Sequence, residues 1–287
     1  RAVATISWSA ADLSVGRQAI AFGSARAVNP TDVIAPFAYE ELDKEERVGV
    51  DAVRLRVPVG AMGEIDCGVV FGRDAEPEES AAFARVKGYL GDTDVTGIAM
   101  VYRENVLLGV DLARAIGGAG SWLEAAYSLP DLLRDGFDRE GVLRLSFGID
   151  AYFERGIYAF GEYHYNGAGS RRPSEYLDPA NAWAYEHGAV YLLGRHYLVP
   201  GLSCDITPLL GLRLEALINL TDPSALASGR LAYSMAQDLS AEVGGFLRTG
   251  RGPRNRADMM TGVIGAEPRS EFGLYPNLLF ATVRFYF

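Results

Sequence analysis

Arginines and carboxylates recur in this chain at every second position of otherwise apolar stretches. Arg54 and Arg56 alternate with Val53, Leu55 and Val57; Arg144 and Asp150 fall among Leu143, Leu145, Phe147 and Ile149; Arg213 and Glu215 alternate with Leu212, Leu214 and Ala216. The same registers place Arg85, Lys87, Arg195, Arg230, Arg248 and Arg284 with Glu64, Asp66, Asp111, Glu124, Glu162 and Glu242 on one predicted face. Side chains two apart share a face of a β-strand. A face carrying both signs must hold water or pair its charges, because an unpaired charge in a dry cavity is too costly. Two roles follow: a hydrated passage whose field orients polar or charged solutes, and a ladder of ion pairs that stiffens the wall. Individual residues are open to either.

Covalent chemistry is poorly supplied. His164 shares the predicted inward face with Glu162, but spacing fixes no nucleophile or second acid beside them. His164 therefore reads as a lumen-lining or interface histidine, and no catalytic residue is expected. His187, beside Trp183 and Tyr185, reads as a loop contact ahead of a sugar platform. Cys67 and Cys204 both fall in the apolar registers, as small hydrophobes in a wall. Three histidines without Cys/His spacing predict no metal site, and passive diffusion requires no cofactor.

The elements that must position these charges are strands. The chain has 287 residues, 49% of them hydrophobic, and a mean hydropathy of only +0.04. No run of about eighteen uncharged apolar residues exists, which excludes a transmembrane helix but not a barrel, where only alternate residues meet lipid. A net charge of −10 argues against nucleic acid. Period-two alternation runs from end to end, most cleanly over 143–153 and 210–220. Segments of about ten or eleven residues suit a tilted membrane crossing better than a soluble sandwich, whose strands average five or six. Strands are expected near 3–9, 13–23, 48–59, 63–72, 81–91, 95–103, 105–117, 120–129, 142–154, 157–168, 189–206, 209–220, 225–237, 239–250 and 276–287.

The fold class expected is all-β: one transmembrane antiparallel up-and-down β-barrel domain over 1–287, about fifteen strands readable and sixteen when complete. Single-chain bacterial barrels usually have an even count, so at least one strand is expected ahead of Arg1. An exported chain also needs a leader, which makes this sequence a mature or truncated form. Short turns alternate with longer links at about 24–47, 73–80, 130–141, 169–188 and 251–275, with short exceptions near Glu104 and at 221–223. Outer-membrane barrels keep short turns in the periplasm, which puts the C-terminus there too.

The last seven residues, Ala281 to Phe287, alternate about an apolar face and stop on an aromatic. This ending resembles the C-terminal insertion signal of Gram-negative outer-membrane β-barrels. Upstream, Gly16-Arg17-Gln18 opens a strand, Asn29-Pro30-Thr31-Asp32 follows, then an acidic stretch, then a return at Arg47-Val48-Gly49. That arrangement, covering about 13–56, resembles a proteobacterial family of porin-like outer-membrane proteins. Phe22 stands where that family has a Trp before the strand-ending glycine. The resemblance implies a barrel and names no substrate.

Asn29, Pro30 and Asp32 are a turn or helix-start signal, and the following segment mixes Val33, Ile34 and Phe37 with Glu40 and Glu41. A constriction loop folded inward, apolar side against the wall, is the reading preferred to a loop on the rim. The function expected is a porin-like channel for small hydrophilic or charged solutes in the Gram-negative outer membrane. The alternatives are a structural barrel sheathing or anchoring a partner protein, and a barrel hydrolase. Lipid, lipopolysaccharide, and a homo-oligomer or partner protein complete the expected partners; loop carboxylates read as solvated ahead of a divalent-cation bridge to lipopolysaccharide.

Overall fold

The computed structural model describes residues 2–35, 49–73, 76, 79–130, 140–177, 185, 190–257 and 264–285. The strands are β1 (Val3–Trp8), β2 (Ala11–Gln18), β3 (Val50–Val59), β4 (Gly63–Phe71), β5 (Ala81–Leu90), β6 (Thr93–Tyr102), β7 (Asn105–Ile116) and β8 (Ala119–Leu129). They continue as β9 (Val142–Phe153), β10 (Ile157–Asn166), β11 (His196–Thr207), β12 (Leu210–Asn219), β13 (Ser224–Ala236), β14 (Leu239–Thr249), β15 (Arg254–Ala257), β16 (Ile264–Glu267) and β17 (Leu278–Phe285). Fifteen of them form one up-and-down sheet in chain order, β1 to β14 and then β17; β15 and β16 form a separate hairpin. The residues group into two compact units, Arg1–Phe147 with Trp183–Tyr191, and Gly148–Ala182 with Leu192–Phe287.

The fifteen strands of the sheet are those read from alternation, with two boundaries moved by more than two residues. The second was expected to run to 23 but ends at Gln18, because Ile20 and Phe22 leave the sheet to bury against it. The eleventh was expected from 189 but begins at His196; Val190 and Leu192 are buried loop residues whose spacing imitates a strand. The β15–β16 hairpin, inside the long 251–275 link, was not expected.

Burial is inverted relative to a soluble sheet. Phe147 is 47% exposed and Val243 61%, whereas Asp66, Glu124 and Glu162 are fully buried. Apolar groups turned outward and charges turned inward suit a lipid exterior. Exposed aromatics of the apolar face gather at strand ends: Trp8, Phe153, Tyr233 and Phe285 near the short-turn end, Phe71 and Tyr127 near the long-link end. Amphipathic rings are enriched at such levels because they bridge hydrocarbon and headgroup. Phe287 lies outside the described residues.

Connections after odd-numbered strands of the sheet are short, and those after even-numbered strands are long except at 103–104 and 220–223. The β7–β8 turn places Gly117 and Gly118 at φ 58 and 87, the positive angles that a two-residue hairpin turn demands. At the opposite strand end, Arg103 and Glu104 adopt φ 46 and 68 without that freedom.

Candidate functional site: a charged sheet face and the loop pinned to it

Antiparallel register assembles the charged face of the first unit strand by strand. Arg56 lies across from Asp66, Asp66 from Arg85, Glu64 from Lys87, Lys87 from Thr96, Thr96 from Asp111, and Asp111 from Glu124. Asp66 is bonded not by its register partner but by the diagonal Arg54, through Nε to Oδ1 at 2.8 Å and Nη2 to Oδ2 at 2.7 Å. Arg85 approaches the same carboxylate at 2.9 Å and Glu64 at 2.7 Å. The result is a continuous Arg54–Asp66–Arg85–Glu64 chain, with the only fully buried member, Asp66, held between two guanidiniums. Arg56 is half-buried and its Nε has no hydrogen-bond partner among the described residues. Lys87 reaches Asp94 at 3.6 Å in a largely exposed pair.

Residues 19–35 cross this face. Ile20, Phe22 and Val33 bury in an apolar patch made by Ala52, Val70, Phe83, Ile98, Met100, Leu107 and Ala126 of the sheet. Each such side chain contributes roughly 1.5–3 kcal/mol when removed from water. Phe22 also meets Phe83 edge to face, with centroids 5.0 Å apart, and the Arg85 guanidinium lies 5.9 Å from the Phe22 ring. The polar side of the segment is tied by Glu124. Its Oε1 accepts from the Thr31 amide at 2.8 Å and the Thr31 hydroxyl at 2.7 Å; its Oε2 accepts from Asn29 Nδ2 at 3.1 Å and the Ala25 amide at 3.2 Å. Ser24 donates to Asp111, and Ser146 donates to the Val28 carbonyl at 2.6 Å.

The approach is close enough to require glycine. A Cβ on Gly109 of β7 would stand 2.6 Å from Thr31 Cγ2, and one on Gly23 would strike the Glu124 carboxylate. Asn29 to Asp32 close a turn through Asp32 N to Asn29 O at 3.2 Å, with Pro30 and Asp32 buried. Arg26 of the same segment stacks over Trp122 at 5.1 Å from the ring centroid. Glu40 and Glu41, expected in the constriction, lie outside the described residues, as do Trp183 and His187.

Arg144 is buried within the first unit. In the second unit, buried Asp150 accepts from the Tyr158 hydroxyl at 2.8 Å. Glu162 and His164 are buried on the inward face of β10, where His164 packs beside Tyr197 at 6.3 Å between ring centroids. Glu242 sits between Arg230 and Arg284, at 3.6 and 3.5 Å. Arg213 lies across from Arg230 and is exposed; Glu215, two residues on, is half-buried. Two expected members of the lining have other tasks. Arg248 donates to the Gly273 carbonyl at 2.8 Å, and Arg195, ahead of β11, donates through Nε to the Gly169 carbonyl at 2.9 Å. Both are tied to loops instead of standing along the strands. Among the described residues no His, Cys, Asp and Glu group has metal-holding geometry.

A second knot joins three links of the second unit at the long-link end of its strands. Asn219 Nδ2 donates to Glu271 Oε2 at 2.7 Å, to the Tyr176 hydroxyl at 3.0 Å and to Asp222 Oδ2 at 3.2 Å. Glu271 also accepts from the Tyr197 hydroxyl at 2.5 Å and the Leu193 amide at 2.8 Å. The Tyr176 hydroxyl donates to Asp222 at 2.5 Å. Burial pushes Glu271 up to about 7, and burial followed by the bond to Asp222 raises Tyr176. No motif announces this knot, because its members are scattered over loops without a common period.

No protein-family model and no curated protein matches this sequence. Solved structures do match in shape. The chain superimposes on Pseudomonas aeruginosa OccK11 (OpdR) with TM-score 0.59 and 12% identity, covering 99% of this chain and 80% of that one. For P. aeruginosa OccK2 (OpdF) in complex with glucuronate the values are 0.56 and 10%, with 99% and 80% coverage. For a BenF-like porin from Pseudomonas fluorescens Pf-5 they are 0.55 and 10%, with 99% and 77% coverage. The chain has the all-β, antiparallel up-and-down fold of these porin barrels.

Proposed function

We propose that this chain is an outer-membrane porin-like channel for passive diffusion of small hydrophilic or charged solutes. The observation that carries the reading is the inverted sheet: one face is open and aliphatic, while the other holds ionisable groups at zero to partial exposure. Lipid meets the first face and a hydrated lumen the second. Residues 19–35 narrow that lumen, anchored by Glu124 and packed through Phe22.

The strand-end aromatics support a membrane band, with the short turns periplasmic and the long links outside. The Gly16-Arg17-Gln18 strand and Asn29-Pro30-Thr31-Asp32 turn belong to the same reading, because in this chain the turn is the part that Glu124 holds. The glucuronate of the OccK2 complex is an acidic sugar, and the arginines along the face make small anions the solutes to try first. Uptake of glucuronate and of a neutral hexose into liposomes carrying the purified protein tests the proposal. Leakage no faster than from empty liposomes for every solute would refute it.

A further inference from the structure

Outward alternation on β10 and β11 gathers a polar cluster where the sheet otherwise shows hydrocarbon. His164 and Tyr197 point inward and are buried, so Tyr163, Tyr165 and His196 occupy the opposite face. The Tyr163 hydroxyl and His196 Nδ1 are 2.7 Å apart, and the Tyr165 and His196 rings are 5.5 Å apart between centroids. His196 is seated firmly: its amide and that of Arg195 both donate to Thr221 Oγ1, at 3.3 and 3.1 Å. Exposed aliphatics lie along the same face, with Leu198 across from Tyr163, Leu202 farther along β11, and Leu220 beside His196.

Two cations stand at the loop end of this cluster. Arg195 and Arg171 are both close enough to act electrostatically on His196. Neither forms an ion pair among the described residues, whereas the adjacent Arg172 is taken by Glu175 at 3.3 Å. Arg195 is oriented by its Nε bond to Gly169, and the isolated Ser170–Gly194 bridge holds the loop segment carrying Arg171 beside it. Aliphatic wall, then hydroxyl and imidazole, then guanidinium is the order met by a lipid lying along the sheet with its phosphate at the rim. Arg binds phosphate through charge-assisted hydrogen bonds, and an aromatic level marks the headgroup depth.

We propose that Arg171, Arg195, His196, Tyr163 and Tyr165 form a binding site for the phosphate of an outer-leaflet lipid. The site rests on the membrane orientation proposed above. Charge complementarity selects the occupant, since two cations that form no ion pair among the described residues disfavour a zwitterionic headgroup and a second copy of the same cationic patch alike.

Native mass spectrometry of the detergent-solubilised whole chain, titrated with bisphosphorylated lipid A or its dephosphorylated form, tests this. One lipid A is expected to bind per chain at least about tenfold more tightly than the dephosphorylated lipid. Arg171→Ala with His196→Leu is expected to erase that preference while heat-resistant folding and conductance persist. Because substitution can perturb folding, the unsubstituted chain supplies a second arm, in which rising ionic strength should weaken the lipid A adduct selectively. Equal binding of the two lipids, an adduct indifferent to salt, or inorganic phosphate alone binding as tightly as lipid A would each overturn the site. If the chain conducts and shows no lipid preference, only the lipid site falls; if it does not insert into bilayers, both it and the channel fall.

Discussion

Thr31 is bonded twice to Glu124, 93 positions along the chain, through its amide at 2.8 Å and its hydroxyl at 2.7 Å, both to Oε1. With Asn29 and Ala25 on Oε2, a single buried carboxylate holds the crossing segment to the sheet through four donors. Glu124→Gln keeps the shape but replaces one acceptor oxygen by an amide that faces donors. Two of the four bonds are lost, at about 1–3 kcal/mol for each buried group left unsatisfied. Gly109→Ala attacks the same contact from β7 without altering a charge, by bringing a methyl against Thr31. Both variants should raise single-channel conductance or make it flicker. Unchanged, steady conductance would place residues 19–35 outside the pathway.

Arg54 and Arg56 sit two residues apart but carry different burdens. Arg54 forms two bonds with fully buried Asp66, whereas the Arg56 Nε has no partner among the described residues. Arg56→Ala should therefore shift reversal potentials in a salt gradient toward cations with no loss of heat-resistant folding. Arg54→Ala should shift them similarly and also lower stability by about 1–3 kcal/mol, because among the described residues only Arg85 then pairs with Asp66. Loss of the folded band with unchanged selectivity in either variant would make these arginines braces only.

Glu271 gives the long links of the second unit a dependence on pH. Burial raises its carboxyl from 4.5 to about 7, so the folded state binds the proton more tightly than the unfolded one. Its contribution to stability is complete below about 4.5 and is lost as pH rises through about 7. Hydrogen exchange of amides 268–277 should be slowest in acid, after correction for intrinsic rates, and should accelerate across that interval. Glu271→Gln should abolish the pH dependence; a dependence that persists would assign it to another group.

Arg103 and Glu104 close β6 to β7 with both φ positive, where non-glycine residues pay roughly 1–2 kcal/mol each. Arg103→Asn with Glu104→Gly supplies the residues this turn prefers and should increase resistance to denaturant by about 1 kcal/mol. A decrease would show that contacts made by the two native side chains outweigh the backbone cost.

Alternation made the sheet legible. Leu143 to Phe153 was readable as a strand because each apolar residue faces outward and each polar one inward, and β9 spans Val142–Phe153. Opposed positions such as Arg56 and Asp66 followed from one short turn, but the diagonal reach of Arg54 did not, since side-chain length and rotamer decide it. Glu124 was readable as an inward acid; its partners were not, because they come from a loop without periodicity. Phe83, Ile98, Met100 and Leu107 are inward apolar residues on a face expected to be polar, and they are there to receive Ile20, Phe22 and Val33. The Glu271 knot was invisible for the same reason as the Glu124 partners: the bonds to the Glu271 carboxylate span 52 to 78 positions.

Planar-bilayer recording of the purified chain tests the channel most directly. Insertion should give discrete, ohmic conductance steps, and a gradient of potassium glucuronate should give a reversal potential favouring the anion relative to the Arg56→Ala variant. A chain that inserts with its heat-resistant fold intact and passes no current under either condition would contradict an open, arginine-lined passage.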